Sequence, residues 1–247
     1  MKENELVLLV GPGTYLVKIS DRKLNTEHGS IDLFELEKKK FGDRIKTHTG
    51  KEFMIIKPNV IDVLMRKAKR LPQIVTPKDV SMILAYTGIS PDSLIVDAGS
   101  GSGFLIIFLA NYCHEGKIVT YEKRPEFFEV VKKNIELVGL KNVVAKEKDV
   151  TKGIDEKNVD LFTLDMEDAE KVIEKVFDVL KPGGWLVVYS PHIGQVINVR
   201  KKIEKLNFTQ VKTIENIYRE WRVGKHTLPE VSGVMHTGWL TFARKVF

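Results

Sequence analysis

Between Asp97 and Gly103 an acid is followed by glycines at alternate positions, Asp97-x-Gly99-x-Gly101-x-Gly103. Glycine reaches positive φ at no steric cost and lets a ligand come close to the backbone. The apolar run Leu94-Ile95-Val96 leads in and a helix-like segment, 104–111, follows. The glycines therefore sit in a strand–turn–helix whose helix start offers free N–H groups. Three further acids stand where apolar runs stop: Glu122 after 117–121, Asp149 in Lys148-Asp149-Val150, and Asp165 after 161–164. An acid about 20 residues beyond such glycines is placed to grip a nucleotide ribose. Ligands of open α/β sheets bind outside the carboxyl ends of the strands, so Asp165 is expected between that ligand and its reaction partner. Asp168 reads as the cap of the next helix, and Glu167 fits either role.

These residues need a sheet to hold them. From Pro77 onward strands alternate with helices, the pattern of an α/β fold. Strands are expected at 94–96, 118–121, 143–145, 161–164, 185–189, 210–218 and 238–245, and helices at 77–86, 104–113, 126–138, 169–180 and 196–206. Lys181-Pro182-Gly183-Gly184 reads as the end of a helix turning into a strand. The first 60 or so residues differ, with short strands at 6–10, 15–19, 30–33 and 52–56 around Gly-containing turns, and a basic helix over 61–70. The expected organisation is a small β-rich domain at 1–60, a helical linker at 61–76 and the α/β domain at 77–247.

Composition narrows the setting. The 247 residues are 43% hydrophobic and 29% charged, as in a globular protein with a substantial core. A net charge of +6 suits a polyanion such as RNA, though many enzymes carry as much without such a partner. Cys113 is the single cysteine, which excludes an intrachain disulfide and fits a reducing compartment; a cytoplasmic location is expected. No signal-peptide pattern opens the chain, and no apolar run approaches the roughly 20 residues of a membrane helix.

The glycine spacing is diagnostic. A dinucleotide fold carries G-x-G-x-x-G, whereas this chain has an acid and then G-x-G-x-G. It resembles motif I of the class I S-adenosylmethionine-dependent methyltransferases; a dehydrogenase loop or a purely structural turn is the alternative. Longer stretches resemble the tRNA adenine-58 N1-methyltransferase family of archaea and bacteria. They are Pro72-Gln73-Ile74-Val75-Thr76-Pro77-Lys78-Asp79 with Gly88-Ile89-Ser90-Pro91, Leu164-Asp165 with Glu170-Lys171-Val172, Tyr189-Ser190-Pro191 with Gln195-Val196, Arg219-Glu220-Trp221, and His236-Thr237-Gly238.

The resemblance implies a Rossmann-like, seven-stranded α/β sheet with helices on both faces, and a small β domain ahead of it. It implies S-adenosylmethionine held by Gln73 and Val75, by Asp97, Gly99, Ser100, Gly101, Ser102 and Gly103, by Glu122 and Lys123, and by Asp149, Val150 and Asp165. It makes Asp165 catalytic and sets Tyr189, Gln195, Arg219, Trp221 and His236 on the substrate side. tRNA and further copies of the chain, as a homotetramer, are the implied partners, without metal or membrane. Read by residue type alone, Tyr189 and Trp221 are equally core aromatics, His192 is a possible base contact, and His236 is a structural or interface histidine. Competing readings are a methyltransferase for protein isoaspartate or a small molecule, and a non-catalytic RNA-binding subunit. One departure stands out: the family's D-x-P-x-P pattern is replaced by Asp165-Met166-Glu167-Asp168-Ala169, without the prolines that would stiffen the loop.

Overall fold

The computed structural model describes residues 1–231 and 236–247, which divide into two compact units, Met1–Ala68 and Lys69–Phe247.

In the first unit β1 (Leu6–Val10) and β2 (Thr14–Lys18) form a hairpin. β3 (Lys23–Thr26) and β4 (Gly29–Asp32) form another, and β5 (Arg44–Lys46) and β6 (Glu52–Ile56) complete a sheet in the order β2-β1-β6-β5. The short β3 and β5 are absent from the sequence expectation, since Lys23-Leu24-Asn25-Thr26 and Arg44-Ile45-Lys46 each offer too few apolar positions to show alternation. Val7, Leu9, Ile31, Phe53 and Ile55 make the core. α1 (Val60–Lys67) starts with a capping box, Asp62 N–H to Asn59 Oδ1 at 2.8 Å and Asn59 N–H to Asp62 Oδ2 at 3.0 Å. It stops short of the expected residue 70 because Ala68 is extended (φ −66°, ψ 142°).

The second unit holds α2 (Pro77–Thr87), β7 (Leu94–Ala98), α3 (Phe104–Tyr112), β8 (Lys117–Glu122), α4 (Pro125–Val138), β9 (Val143–Glu147), β10 (Val159–Leu164), α5 (Ile173–Val179), β11 (Leu180–Ser190), α6 (Ile193–Ile203), β12 (Phe208–Glu215), β13 (Trp221–Arg222), β14 (Leu228–Pro229) and β15 (Trp239–Lys245). Seven strands form one sheet in the order β12-β15-β11-β10-β7-β8-β9. Strands β7 to β11 pair in parallel, and β15 runs antiparallel to β11 and β12. The chain moves outward from β7 toward β9, then returns to the other side of β7 for β10 and β11. Right-handed crossovers in opposite directions place α3 and α4 on one face and α5 on the other. The point of reversal lies between β7 and β10, which is where such sheets bind ligands.

Three local expectations are corrected. The helix read over 169–180 is a 3-10 turn, Ala169–Lys171, followed by α5, and Leu180 already belongs to β11. Lys181-Pro182-Gly183-Gly184 is not a turn before a strand but an insertion within one. Leu180 pairs with Val159, the register then shifts, and Trp185 pairs with Leu161. Gly183 takes φ +80° there, and a Cβ on Gly184 would lie 2.7 Å from Val159 O, so both glycines are needed for the bulge. Asp168 precedes the 3-10 turn without capping it: at φ +59° its side chain leaves the helix N–H groups and pairs with Lys171 Nζ at 2.6 Å. A residue before proline is pushed to extended backbone, so this left-handed Asp168 accords with Ala169 in place of the family's proline.

Candidate functional site

Asp97, near the end of β7, is 1% exposed. Its carboxylate accepts Thr120 Oγ1 at 2.6 Å and Thr163 Oγ1 at 2.7 Å, one hydroxyl from each flanking strand. Burial raises its pKa to about 6 against the pull of these two bonds. The loop beyond it takes φ +91° at Gly99, +53° at Gly101 and +81° at Gly103. A Cβ at Gly99 would stand 2.0 Å from Asp165 O, and one at Gly103 would stand 2.6 Å from Val131 Cγ2 of α4. At Gly101 it would meet nothing nearer than Gly99 O at 3.9 Å. Two glycines therefore let protein elements close on the turn, while the middle one leaves open space above the backbone for a ligand.

Glu122 ends β8, 3% exposed, and reaches back to the loop. Its Oε2 accepts Gly101 N–H at 3.2 Å, and its Oε1 accepts Arg124 N–H and Nε–H at 3.0 and 3.1 Å. Asp149 lies beyond β9 and accepts Thr151 Oγ1 at 2.7 Å and Thr151 N–H at 2.9 Å, which hold its pKa below the usual range. Asp165 follows β10 directly, its N–H bonded to Ala98 O at 3.0 Å. Burial first, and the nearby Asp97 charge second, push its pKa up to about 8.

Gly99, Glu122, Asp149 and Asp165 line a cavity of about 470 Å³ at the reversal point of the sheet. Gln73, Gly99, Glu122, Lys123, Asp149, Val150, Asp165 and Gln195, all expected at the site, are among its walls, as is His192. A small recess of about 20 Å³ shares Gln73, Gly99 and Asp165 with it and adds Val75, Asp97, Ser100, Gly101 and Ser102. Gly103 lines neither and forms the N-cap of α3. Gln73 holds the unusual φ +60° where the two hollows meet. Sequence reasoning missed Tyr121, Arg124, Lys148, Met166 and Pro191 as walls; each neighbours or nearly neighbours a residue it chose, and that adjacency was the available signal, while Glu167, left open between two roles, is a wall too.

Four expected substrate-side residues line neither hollow. Tyr189 is 6% exposed, and its hydroxyl donates to Thr237 O. His236 bonds Glu215 Oε1 at 2.5 Å and packs on Trp239, ring centroids 4.3 Å apart. Trp221 lies on the β13–β14 ribbon with 54% of its surface exposed, so it is no core aromatic, and Arg219 is exposed just before it. Residues 232–235 of the adjoining stretch lie outside the described residues.

The hollows bring together a glycine turn open over Gly101, the Glu122 carboxylate and a further acid at Asp149.

Comparison with known proteins agrees. Residues 64–235 match the family model described as tRNA methyltransferase complex GCD14 subunit. The tRNA (adenine(57)-N(1)/adenine(58)-N(1))-methyltransferase TrmI of Methanocaldococcus jannaschii is 34% identical, over 93% of this chain and 90% of that protein. A crystal structure of a SAM-dependent O-methyltransferase from Thermotoga maritima superposes with TM-score 0.91 at 36% identity, covering 100% of this chain and 95% of that one. The tRNA (m1A58) methyltransferase TrmI of Aquifex aeolicus superposes with TM-score 0.86 at 26% identity, covering 100% and 99%.

Proposed function

Because this chain belongs to the GCD14 tRNA methyltransferase family, we propose that it transfers a methyl group from S-adenosylmethionine to N1 of the tRNA adenine at position 58, with the neighbouring adenine 57 as a second target. The observation that carries the reading is the placement of Asp165. It follows β10 directly, against the glycine turn, with Gly99 closing on its carbonyl, and lines both the recess beside the turn and the open cavity.

S-adenosylmethionine supplies an electrophilic methyl on sulfur. Gln73, Val75, the 97–103 turn, Glu122, Lys123, Asp149 and Val150 would hold it. Adenine N1 has an in-plane lone pair and needs no base to become a nucleophile. As the base gains charge, its exocyclic amino group becomes a stronger donor, and the Asp165 carboxylate is the acceptor that stabilises it. Preaimed charge of this kind is often the largest catalytic contribution. The target adenine must leave its stack to reach the cavity, at a cost of a few kcal/mol. Gln195 and His192 would then face it across the cavity from Glu122 and Asp149, and Trp221 and Arg219 would meet RNA outside it.

The test is nucleoside mass spectrometry on tRNA transcripts incubated with enzyme and cofactor. 1-Methyladenosine is expected from the wild-type transcript and is lost when adenine 58 is replaced; a transcript keeping adenine 57 alone reports the second target. Methylation of a peptide or small acceptor but no RNA would sink the reading. Assembly as a homotetramer in the cytoplasm belongs to the same proposal, and light scattering on the purified chain tests the assembly.

A further inference from the structure

Three stretches that single this chain out in sequence converge away from the cavity, in one buried polar knot. Asp79, 1% exposed, accepts Lys78 Nζ at 2.9 Å on Oδ1, and Thr76 Oγ1 at 3.0 Å and Thr237 Oγ1 at 2.9 Å on Oδ2. The same ammonium donates to Asn216 O at 2.6 Å and to Thr237 Oγ1 at 2.7 Å, so all its donors are used. Asn216 Nδ2 returns a bond to Lys78 O at 2.6 Å. Tyr189 Oη donates to Thr237 O, and a Cβ on Gly238 would stand 2.7 Å from Tyr189 Cζ. The backbone at 237–238 is thus pressed against the tyrosine ring.

The knot pins two otherwise separate places. One is the first turn of α2, directly after Gln73, Ile74 and Val75, which wall the recess beside the glycine turn. The other is the carboxyl end of β11, directly before Pro191, His192 and Gln195, which wall the cavity. Lys78, Asp79, Tyr189 and Thr237 line neither hollow. We infer that Lys78, Asp79 and Thr237 are positioning residues that fix the cofactor-side wall relative to the acceptor-side wall, and with it the line of methyl transfer. A buried ion pair is weak evidence of stabilisation as such, whereas a knot joining residues 158 positions apart, Thr237 and Asp79, is suited to setting a distance.

The inference rests on the methyl-transfer reading for its kinetic arm and is independent of it for its structural arm. Thr237→Val keeps the shape and removes both hydroxyl bonds; Thr237→Ser restores them. An in-line displacement is sensitive to misplacement of about 1 Å, so kcat on tRNA is expected to fall about tenfold or more in the valine variant and to recover in the serine variant. Amide hydrogen exchange is expected to speed up together at 73–76 and 189–195, with 143–150 unchanged. A valine variant that melts earlier yet keeps wild-type kcat and wild-type exchange in both walls would overturn the inference. Should it fail to fold, Tyr189→Phe, which removes the bond to Thr237 O, carries the same measurements with the same outcomes. Absence of wild-type transfer to tRNA would count against the acceptor assignment alone; the exchange pattern judges the knot whatever the acceptor.

Discussion

The glycine turn after β7 and the stretch from Asn216 to Gly238, which holds the Arg219-Glu220-Trp221 and His236-Thr237-Gly238 motifs, both stand out in sequence, yet the molecule uses them in opposite ways. Nearly every residue of the turn bears on a hollow: Gly99, Ser100, Gly101 and Ser102 are walls, and Gly103 starts the helix behind them. In the described part of the later stretch, Asn216 and Thr237 turn inward to a buried ion pair, His236 caps a surface contact, and Trp221 faces outward. The turn acts through its own backbone, which neighbouring residues determine. In the later stretch Asn216 and Thr237 act through Lys78 and Asp79, more than a hundred positions away. A motif therefore locates chemistry when its spacing encodes local conformation, and only fold context tells whether a long-range motif touches substrate or holds something that does.

The sharpest way to test the turn side of this contrast is Asp165→Asn, which removes the negative charge, turns one oxygen into an amide donor and keeps the shape. Loss of one such group commonly costs about a hundredfold or more in kcat. The pH dependence gives an independent check. In the proposed reaction the carboxylate is the active form, and burial and the nearby Asp97 charge push its pKa up to about 8, so kcat/KM for the cofactor should climb as pH rises through that range, and the asparagine variant should be flat there. Stability should move the other way. Asp165 ionises near 3.8 when unfolded and near 8 when folded, so the folded state loses stability as pH rises between those values. The asparagine variant should consequently melt above wild type at pH 9, by roughly 2–4 °C for each kcal/mol relieved, with the gap closing toward pH 4. A variant that is inactive and also less stable at pH 9 would mean that Asp165 holds the fold rather than the reaction.

The glycines divide the turn more finely. In Gly99→Ala the new methyl would stand 2.0 Å from Asp165 O at a φ of +91°. Overpacking and left-handed strain together should cost about 3 kcal/mol, and cofactor affinity should drop with the displaced backbone. In Gly101→Ala the methyl meets open space at φ +53°, so stability should fall by only about 1 kcal/mol while cofactor affinity falls sharply. Calorimetric titration and thermal melts of the two variants separate these outcomes. Equal losses of stability would refute the view that Gly99 serves protein packing and Gly101 serves the ligand.

Much of the α/β unit was legible in sequence because strands buried on both faces read as continuous apolar runs, and each acid at a strand end marks the same edge of the sheet. What escaped had physical causes. Lys181–Gly184 has the composition of a turn, and only pairing with Val159 on one side and Leu161 on the other reveals a bulge inside β11. The helix read over 169–180 breaks at Val172 (φ −107°, ψ −7°), which ends the 3-10 turn and opens α5, a backbone conformation that residue type permits and does not require. The walls around the glycine turn were legible through backbone geometry written in glycines, whereas Tyr189 was set on the substrate side although its hydroxyl belongs to Thr237, a partner that the antiparallel pairing of β11 with β15 brings near.

The smallest expected effect tests the other side of the contrast. Trp221 is 54% exposed on the two-residue strand β13, which pairs only with β14 among the described residues. Exposed side chains of this kind contribute within about 0.5 kcal/mol to stability, so Trp221→Ala should melt with wild type and bind cofactor unchanged. If the ribbon offers an aromatic face to unstacked RNA bases, the KM for tRNA should rise about fivefold or more, since stacking on an aromatic is worth about 1–3 kcal/mol per base. Set beside Thr237→Val, the two variants distinguish the roles that one stretch of sequence combines: the tryptophan should move KM for tRNA and leave kcat, and the threonine should move kcat and the exchange of both walls. If both variants moved the same constant, the stretch would act as a single substrate-binding element, and the knot would be no more than its anchor.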